Sequence, residues 1–249
     1  MSPWELRACV HGQRLSALTI HGLRGPCYGV RRMRIIALAT GVGNVRSVLR
    51  ALDRATSAVG NREIIPTADP ELARGADVLV VPGQGAFGAF AAALDGGLRE
   101  AVLEKVRAGT PYLGICLGLQ ILFEESDEAP GAKGLSVLRG QVRRLVPGDD
   151  PELGRPHPLP HIGWNRAEPT GSGTSPIVEP GHYYFAHTYV AVPEDPSVVL
   201  TTTTYGDATF ASAVQKDNVV GIQFHPEKSQ SKGLAALERF FTNVTRRTA

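Results

Sequence analysis

Cys116 lies in a sequence context that could make its thiol a nucleophile. It is the centre of the motif Gly114-Ile-Cys-Leu-Gly118, at the junction of a predicted strand and a predicted helix. This G-x-C-x-G pattern is the cysteine counterpart of the nucleophile elbow, whose glycines allow a sharp turn. The turn would place the thiol at the carboxyl end of a sheet and at a helix N-terminus, which favours a thiolate. A buried structural cysteine is the competing interpretation, and the elbow motif weighs against it.

His225 and Glu227 form a second candidate pair, after a strand-like segment near the end of the chain. Residues i and i+2 of an extended segment point to the same side, so the Glu227 carboxylate can reach the His225 imidazole. A free thiol is little ionised at neutral pH, so a nearby imidazole base would activate it, and the carboxylate would orient that base. Since 109 positions separate Cys116 from His225, their contact depends on the fold. An ordinary strand end with a solvated acid is the alternative.

The elements that would position these residues alternate between strand and helix from Met33 onward. Predicted strands cover 33–39, 63–65, 77–81 and 111–115, and predicted helices begin near Val45 and cover 89–108 and 117–123. Beyond about residue 135 the pattern changes to strands and turns, with a Pro-rich insertion at 147–160 and a final helix carrying Leu234, Leu237, Phe241 and Val244. This succession predicts an α/β protein with a single doubly wound, mostly parallel sheet flanked by helices and a β-rich second half.

Length and composition restrict the class of protein. The chain has 249 residues, of which 43% are hydrophobic and 20% charged, and no apolar run is long enough to span a bilayer. These values are typical of a globular domain and exclude disordered, collagen-like and disulfide-framed chains. The net charge is +2, but residues 1–32 hold five arginines and one acid, so the remainder has no basic excess that would indicate nucleic-acid binding. We therefore expect neither a nucleic acid nor a membrane as a partner.

Residues 1–32 have neither helical nor strand periodicity, and we expect them to lie outside a single domain at 33–249. A mis-assigned start before Met33 is the simplest explanation, and a targeting segment or a partner-binding arm is the alternative. The three cysteines, Cys9, Cys27 and Cys116, are odd in number and lack metal-ligand spacing. That usage is typical of a reducing compartment, so we expect a cytoplasmic protein without a metal site.

Together these motifs resemble the class I, or triad, glutamine amidotransferases. The resemblance rests on Pro111-Tyr-Leu-Gly-Ile-Cys-Leu-Gly-Leu-Gln120 and Phe224-His-Pro-Glu227. Further segments are similar to one branch of that family, the glutaminase subunits of imidazole glycerol phosphate synthase. These segments are Gly43-Asn44 with Ser47, Pro82–Phe87, Pro160–Asn165, Phe185–Tyr189, and His225–Gln230 before Gly233. The resemblance extends over essentially 33–249.

The resemblance implies a role for each site residue. Cys116 would attack the side-chain amide of L-glutamine and form a glutamyl thioester with release of ammonia, while His225 carries the proton and Glu227 orients it. The oxyanion hole would be formed by backbone N–H groups of Leu117 and of Gln84 or Gly85, each donor contributing roughly 10²–10³ in rate. Substrate contacts would come from Gly83, Gln120, Thr188 and Tyr189. The resemblance implies no cofactor.

The resemblance also implies a partner chain. In this branch, ammonia passes to a cyclase subunit, a (β/α)₈ barrel that makes imidazole glycerol phosphate and aminoimidazole carboxamide ribonucleotide in histidine biosynthesis. A barrel needs roughly 200 further residues, so we expect a separate polypeptide and a heterodimer. The glutaminase is a hydrolase of a linear amide, whereas the assembled synthase is a lyase. The docking face would include Asn44, His161 and Trp164, with the indole as an anchor; a core tryptophan is the alternative for Trp164.

Three positions depart from the family pattern without touching the triad. Thr40 replaces an acid, Ala86 a residue that is often polar, and Gln84 an apolar residue between two glycines. Our hypothesis is that the Gln84 side chain biases the peptide orientation in the oxyanion loop and so the unstimulated rate. Three other functions share parts of the pattern: the glutaminase of another amidotransferase, a cysteine hydrolase of related fold, and an inactive scaffold. The Gly163-Trp-Asn165 segment argues against the first, and the complete triad argues against the scaffold.

Overall fold

Apolar residues on both sides of the first strand require helices on both faces of the sheet. The computed structural model describes residues 32–41, 45–152, 154–171 and 175–248. In β1 (Met33–Leu38), alternate residues pack into two different cores, Ile36 and Leu38 into one, Ile35 and Ala37 into the other. Successive strand residues point to opposite faces, so both faces of this strand are buried. Residues 31–249 cluster as one compact unit, and the predicted extension before Arg32 lies outside the described residues.

A nine-stranded sheet joins both halves of the chain. Its parallel part is formed by β1 with β2 (Arg62–Thr67), β3 (Val78–Gly83), β4 (Tyr112–Cys116) and β14 (Val219–Ile222). An antiparallel part continues from β14 through β13 (Ala208–Lys216), β12 (Val199–Tyr205), β9 (His161–Pro169) and β10 (Gly181–His187). The order across the sheet is β2-β1-β3-β4-β14-β13-β12-β9-β10. The predicted α/β class with one sheet is confirmed, and the β-rich second half extends that sheet.

Two smaller sheets lie beside the main one. The first has three strands, β5 (Glu125–Ser126), β6 (Gly140–Arg144) and β11 (Tyr189–Pro193). The second is a short hairpin, β7 (Asp149–Asp150) with β8 (Arg155–Pro156), inside the Pro-rich insertion. β11 follows β10 after the single residue Thr188, so the chain leaves the main sheet directly beside the region where β4 ends.

Six α-helices cover the two faces of the sheet within the described residues. They are α1 (Val45–Ala55), α2 (Pro70–Arg74), α3 (Phe87–Ala93), α4 (Leu98–Arg107), α5 (Leu117–Gln120) and α6 (Gln230–Thr248). The first and last contribute buried residues to one core, and the other four to the core of the opposite face. This distribution is the doubly wound arrangement predicted above. No described helix is long and apolar enough to cross a membrane.

Two predicted helices have wrong boundaries. The helix predicted over 89–108 is two helices, because Gly96 and Gly97 adopt φ values of +73° and +94° that interrupt the helical backbone. The helix predicted over 117–123 ends at Gln120 and is followed by turns. The short α2 was not predicted, although Asp69 accepts a hydrogen bond from the N–H of Glu71 and caps it.

Candidate active site

Cys116 forms the elbow between β4 and α5. Its backbone has φ +53° and ψ −106°, a conformation that residues with a side chain rarely adopt, and the residue is buried. The turn depends on the two glycines of the motif. A Cβ at Gly114 would overlap the carbonyl oxygen of Gly118, and a Cβ at Gly118 would overlap that of Val81. Close backbone packing therefore requires both glycines of the predicted elbow.

Two further glycines allow the neighbouring strands to approach α5. A Cβ at Gly83, the last residue of β3, would lie 2.7 Å from Leu117 Cβ, and a Cβ at Gly221 in β14 would overlap Leu119. The first turn of α5 consequently lies directly between the ends of these strands. Gly83, which we expected at the substrate, packs closely against Leu117, and the two residues after it line the cleft. Its contact with the substrate stays a prediction.

His225 and Glu227 come from the turn after β14. Nδ1 of His225 lies 2.9 Å from Oε1 of Glu227, and both side chains are only 2% exposed. The Cys116 sulfur also interacts electrostatically with the imidazole. Oε2 of Glu227 is buried and has no hydrogen-bond partner within the described part of the chain. The fold therefore brings Cys116 close to a pair of side chains that lies more than 100 positions further along the sequence.

The surroundings of His225 favour its protonated form. Burial disfavours the charge, but the Cys116 sulfur as a thiolate and the Glu227 carboxylate stabilise it and raise the pKa of His225 to about 10. The imidazole is therefore charged at neutral pH. The arrangement places the Cys116 sulfur beside an imidazolium with a carboxylate behind it, and these groups can both attack a carbonyl carbon and protonate a leaving amine.

A closed ring of hydrogen bonds holds the backbone of His225. Its N–H donates to the carbonyl of Tyr184 over 2.8 Å, and the N–H of Tyr184 donates to Oγ of Ser229 over 2.9 Å. The Ser229 hydroxyl completes the ring by donating to the His225 carbonyl over 2.6 Å. Ser229 is 1% exposed. The sequence gives no signal for this role, because the ring exists only once β10 lies beside the turn.

Two glutamine side chains connect Cys116 to the wall of the cleft. Nε2 of Gln223 lies 3.6 Å from the sulfur of Cys116, and its Oε1 accepts from Nε2 of Gln120 over 3.2 Å. The same Nε2 of Gln120 donates to the carbonyl of Tyr189 over 2.8 Å. We did not predict a role for Gln223; its position two residues before His225 on an extended segment is the one signal that could have indicated it.

A cleft of about 340 Å³ lies over Cys116. Most of the predicted site residues line it, namely Gln84, Gly85, Cys116, Leu117, Gln120, Thr188, Tyr189 and His225. The sequence analysis missed the remaining lining residues, which are Glu128, Pro160, Ala186, His187 and Lys228. Gln84, one of the departures from the family pattern, lies in the wall of the cleft beside the thiol. Its effect on the unstimulated rate stays a prediction.

Glu128 is the acidic residue of the cleft. Its Oε2 accepts a hydrogen bond from the N–H of Phe87 over 2.8 Å. Phe87 begins α3, and Ala86 at the N-cap position of that helix has no side-chain acceptor. Glu128 thus supplies from another segment the cap that a polar residue at position 86 would provide. No sequence spacing indicates this contact, because 41 positions separate the two residues.

The residues expected at a docking face have different environments. Trp164 is 48% exposed, and Ile162 on the same strand is 62% exposed. His161, by contrast, is 3% exposed and packs between other side chains, so it does not present its ring at the surface of this chain. Asn44 lies outside the described residues. The Trp164 ring contacts the Tyr184 ring edge to face, with centroids 6.1 Å apart.

Two further observations concern polar side chains of the described residues. The hydroxyl of Thr40 is buried without a hydrogen-bond partner among the described residues. Within the same part of the chain, no group of three or more His, Cys, Asp or Glu residues could hold a metal ion.

Comparison with known proteins agrees with this geometry. Residues 40–244 match the family model described as "Glutamine amidotransferase class-I". The chain is 44% identical over 211 residues to the "Imidazole glycerol phosphate synthase subunit HisH" of Aquifex aeolicus, covering 84% of this chain and 96% of that protein. It is 38% identical over 209 residues to the subunit of the same name from Pyrococcus furiosus, covering 83% and 97%.

Solved structures share the fold at lower sequence identity. One described as "Crystal structure of glutamine amidotransferase" has a TM-score of 0.60 and 22% identity, covering 85% of this chain and 98% of that one. A "Structure of PurLQS from Thermotoga maritima" has a TM-score of 0.62 and 17% identity, covering 88% and 100%. The family match over most of the chain, and the HisH relatives over more than four-fifths of it, show that this chain belongs to the class I glutamine amidotransferases and, among them, to the HisH subunits of imidazole glycerol phosphate synthase.

Proposed function

We propose that Cys116, His225 and Glu227 form the catalytic triad of a glutaminase. The observation that carries this proposal is the Cys116 thiol at a strained elbow, in the same cleft as an imidazole that is itself held by a buried carboxylate. The thiolate attacks the side-chain carbonyl carbon of L-glutamine, and the carbonyl electrons move onto its oxygen. The imidazolium then protonates the amide nitrogen, which leaves as ammonia and yields a glutamyl thioester.

Hydrolysis of the thioester completes the reaction. The now neutral imidazole of His225 takes a proton from water, whose oxygen attacks the thioester carbonyl. The thiolate of Cys116 leaves, glutamate is released and the ion pair is restored. The oxyanion of both tetrahedral intermediates is stabilised by the N–H of Leu117 and an N–H at Gln84 or Gly85, at the rim of the same cleft.

The amino-acid end of glutamine is bound by residues that line the cleft in this proposal. Glu128 offers a carboxylate for the α-ammonium group. Thr188 and Tyr189 also line the cleft and contact the amino-acid end, as the resemblance implies. Gln120, which that resemblance places at the substrate, has its amide nitrogen bonded to the protein, so it shapes the subsite chiefly by holding Tyr189.

We further propose that the ammonia is delivered to a cyclase subunit on a separate chain. The relatives are named as subunits of a synthase, and the exposed pair Ile162 and Trp164 offers an apolar anchor for a partner. The partner would be a (β/α)₈ barrel and the assembly a cytoplasmic heterodimer. The glutaminase domain would span 33–249, with the residues before it outside the fold.

Glutamate release from glutamine tests this function. We expect low activity from the chain alone and strong stimulation by the cyclase subunit carrying its nucleotide ligand, with Cys116→Ala inactive in both conditions. Stimulation by the partner of another amidotransferase instead would assign the chain to a different synthase. Complex formation without activity under either condition would indicate a scaffold and refute the triad mechanism.

A further inference from the structure

Two buried histidines and the half-buried Asn165 form a hydrogen-bond chain that the proposed reaction does not use. Nδ2 of Asn165 lies 3.2 Å from Nε2 of His161, and Nδ1 of His161 lies 3.1 Å from Nε2 of His187. Nδ1 of His187 lies in turn 3.1 Å from the carbonyl oxygen of Tyr189. The chain therefore runs from β9, the strand of Trp164, across the end of β10 to the wall of the cleft.

The orientation of the Asn165 amide is determined by its other partners. Oδ1 accepts from the N–H of Arg166 over 2.7 Å, and Nδ2 donates to the carbonyl of Thr204 over 2.9 Å. In the reversed orientation, the NH₂ group of Asn165 would face the N–H of Arg166, and its oxygen would face the carbonyl oxygen of Thr204. Nδ2 must therefore donate to Nε2 of His161, which leaves the proton of a neutral His161 on Nδ1.

The Tyr189 end of the hydrogen-bond chain indicates the same donor-to-acceptor direction. The Tyr189 carbonyl can only accept, so His187 carries its proton on Nδ1 and accepts at Nε2. The proton on Nδ1 of His161 then points at that acceptor. Every bond runs one way, from Asn165 to Tyr189, and both rings have the Nδ1–H tautomer.

The surroundings of the two rings keep them neutral, as this direction requires. His161 lies against the rings of Phe185 and Tyr205, with centroids 5.1 and 4.2 Å away. Burial lowers the pKa of His161 to about 4, and burial together with the neighbouring His161 lowers the pKa of His187 to about 3.

The hydrogen-bond chain ends at the carbonyl oxygen of Tyr189, which also belongs to the contacts that position Cys116. The Tyr189 carbonyl accepts from His187 and from Nε2 of Gln120, and Gln120 in turn binds Gln223, whose amide contacts the sulfur of Cys116. A shift of this carbonyl would change the position of both glutamine amides. Within the described residues, Nε2 of Gln120 has two acceptors, the Tyr189 carbonyl and Oε1 of Gln223.

We propose that Asn165, His161 and His187 are positioning residues of the glutaminase site. They hold the Tyr189 carbonyl where Gln120 can bind it, and through Gln120 they hold the Gln223 amide on the Cys116 sulfur. The inference deepens the proposed function and rests on it for the substrate. The hydrogen-bond direction and the effect on the thiol do not depend on the identity of substrate or partner.

Histidine tautomers in the wild-type protein provide the first test. In ¹⁵N-histidine-labelled protein at neutral pH, we expect His161 and His187 to show a protonated Nδ1 and an unprotonated Nε2. The signals are assigned by their loss in His161→Gln and His187→Gln. A protonated Nε2 on either ring would overturn the proposal, and this result is independent of any glutaminase activity.

Asn165→Asp provides the second test, because a carboxylate has nearly the same shape and cannot donate. In this variant a neutral His161 can hydrogen-bond to the carboxylate only with its proton on Nε2, which reverses the hydrogen-bond chain and leaves Nδ1 of His187 without a proton for Tyr189. We expect His161 to move its proton to Nε2. We expect alkylation of Cys116 by iodoacetamide, followed by peptide mass spectrometry, to slow roughly three- to tenfold, the equivalent of one buried hydrogen bond. The kcat/KM of the partner-bound enzyme for glutamine should fall by a similar factor.

Glu168→Gln is the matched control, since it makes the reverse exchange at an exposed position of the same strand. It should leave tautomers and rates unchanged. Asn165→Ala removes the donor without adding charge and replaces Asn165→Asp if that variant does not fold. A folded variant at position 165 with control-like alkylation and kinetics would refute the positioning role. Slower alkylation in a protein without glutaminase activity would support the positioning role and refute the proposed function instead.

Discussion

At the scale of single residues, three buried histidines around the cleft differ in charge. His225 faces the Cys116 sulfur and the Glu227 carboxylate, which outweigh the effect of its burial and raise its pKa to about 10. His161 and His187 face aromatic rings, an amide and each other, so burial dominates and lowers the pKa of both. The groups in contact with each imidazole, and not the extent of its burial, decide whether it is protonated.

Glu227→Gln should lower the pKa of His225. The variant removes the carboxylate charge that stabilises the imidazolium, while the Cys116 sulfur remains. We expect the pKa of His225 to fall from about 10 and kcat to fall with it. An NMR titration of His225 measures the first effect, with Glu168→Gln as an exposed control. An unchanged pKa in Glu227→Gln would show that the carboxylate has no electrostatic role.

The neutral state of His187 should make the protein sensitive to acid. An unfolded histidine binds a proton near pH 6.5, whereas native His187 does so only near pH 3. The unfolded state therefore binds more protons below about pH 6.5, and the free energy of unfolding falls as pH falls through this range, by at most ~1.4 kcal/mol per pH unit.

His187→Gln tests this dependence, because it removes the contribution. Urea denaturation measures the free energy of unfolding of both proteins. The value for wild type minus that for the variant should decrease as the pH falls from 7 to 5, beginning at about pH 6.5. His182→Gln, at an exposed position of the same strand, should leave the slope of wild type intact. Parallel pH profiles for wild type and His187→Gln would contradict the buried neutral state.

At the scale of elements, apolar periodicity predicted the strands and helices that have a buried face, among them β1, β3, β4 and α6. It failed where backbone conformation decides, because the apolar spacing continues through Gly96 and Gly97 while their positive φ values end the helix. The elbow was predictable because all its parts are adjacent in sequence. Glu128 and Ser229 were not, because their contacts form only between segments that folding brings together.

Gly118→Ala should disrupt the elbow. The added Cβ would overlap the carbonyl oxygen of Val81, and backbone atoms of a central strand cannot move aside cheaply. We expect the free energy of unfolding to fall by about 3 kcal/mol. We also expect glutaminase activity to be lost. Gly60→Ala is the control, since a Cβ there meets nothing within 4 Å. Equal unfolding midpoints for the two variants would show that the close packing at Gly118 is not required.

Ser229→Ala should release the backbone of His225. The variant leaves the N–H of Tyr184 and the carbonyl of His225 buried without this partner, which costs roughly 1–3 kcal/mol. We expect lower thermal stability and a lower kcat with little change in KM, because the proton carrier is displaced and the cleft wall is not. Ser231→Ala, the same change at an exposed position, should behave like wild type. A wild-type kcat in Ser229→Ala would remove Ser229 from the positioning groups.

At the scale of the whole molecule, the active site lies where the two parts of the sheet join. β14 pairs with β4 in the parallel direction and with β13 in the antiparallel direction. Cys116 ends β4, and His225 follows β14, so this pairing makes neighbours of two residues that are 109 positions apart in the sequence. The long β-rich insertion between them supplies β9 and β10, which carry both the exposed tryptophan and the buried histidine chain.

Trp164→Ala should weaken association with the proposed cyclase partner. The indole is about half exposed on the isolated chain and rests on the Tyr184 ring, so it offers a preorganised apolar anchor. We expect Kd to rise by a factor of roughly 30 or more, the equivalent of ~2 kcal/mol. Calorimetric titration measures it, and Val192→Ala, at a similarly exposed apolar residue, should not change Kd. Equal affinities for the two variants would place the docking face elsewhere.

The ring through Ser229 has a consequence for how the catalytic base leaves its native position. The amide hydrogen of His225 is enclosed by bonds to β10, and the adjoining residues are buried, so no small local opening exposes it to solvent. Its exchange with deuterium should therefore follow unfolding of the whole domain, as for core strands. His225 would then keep its native position until the whole domain unfolds. Partial unfolding would abolish substrate binding before it displaced His225.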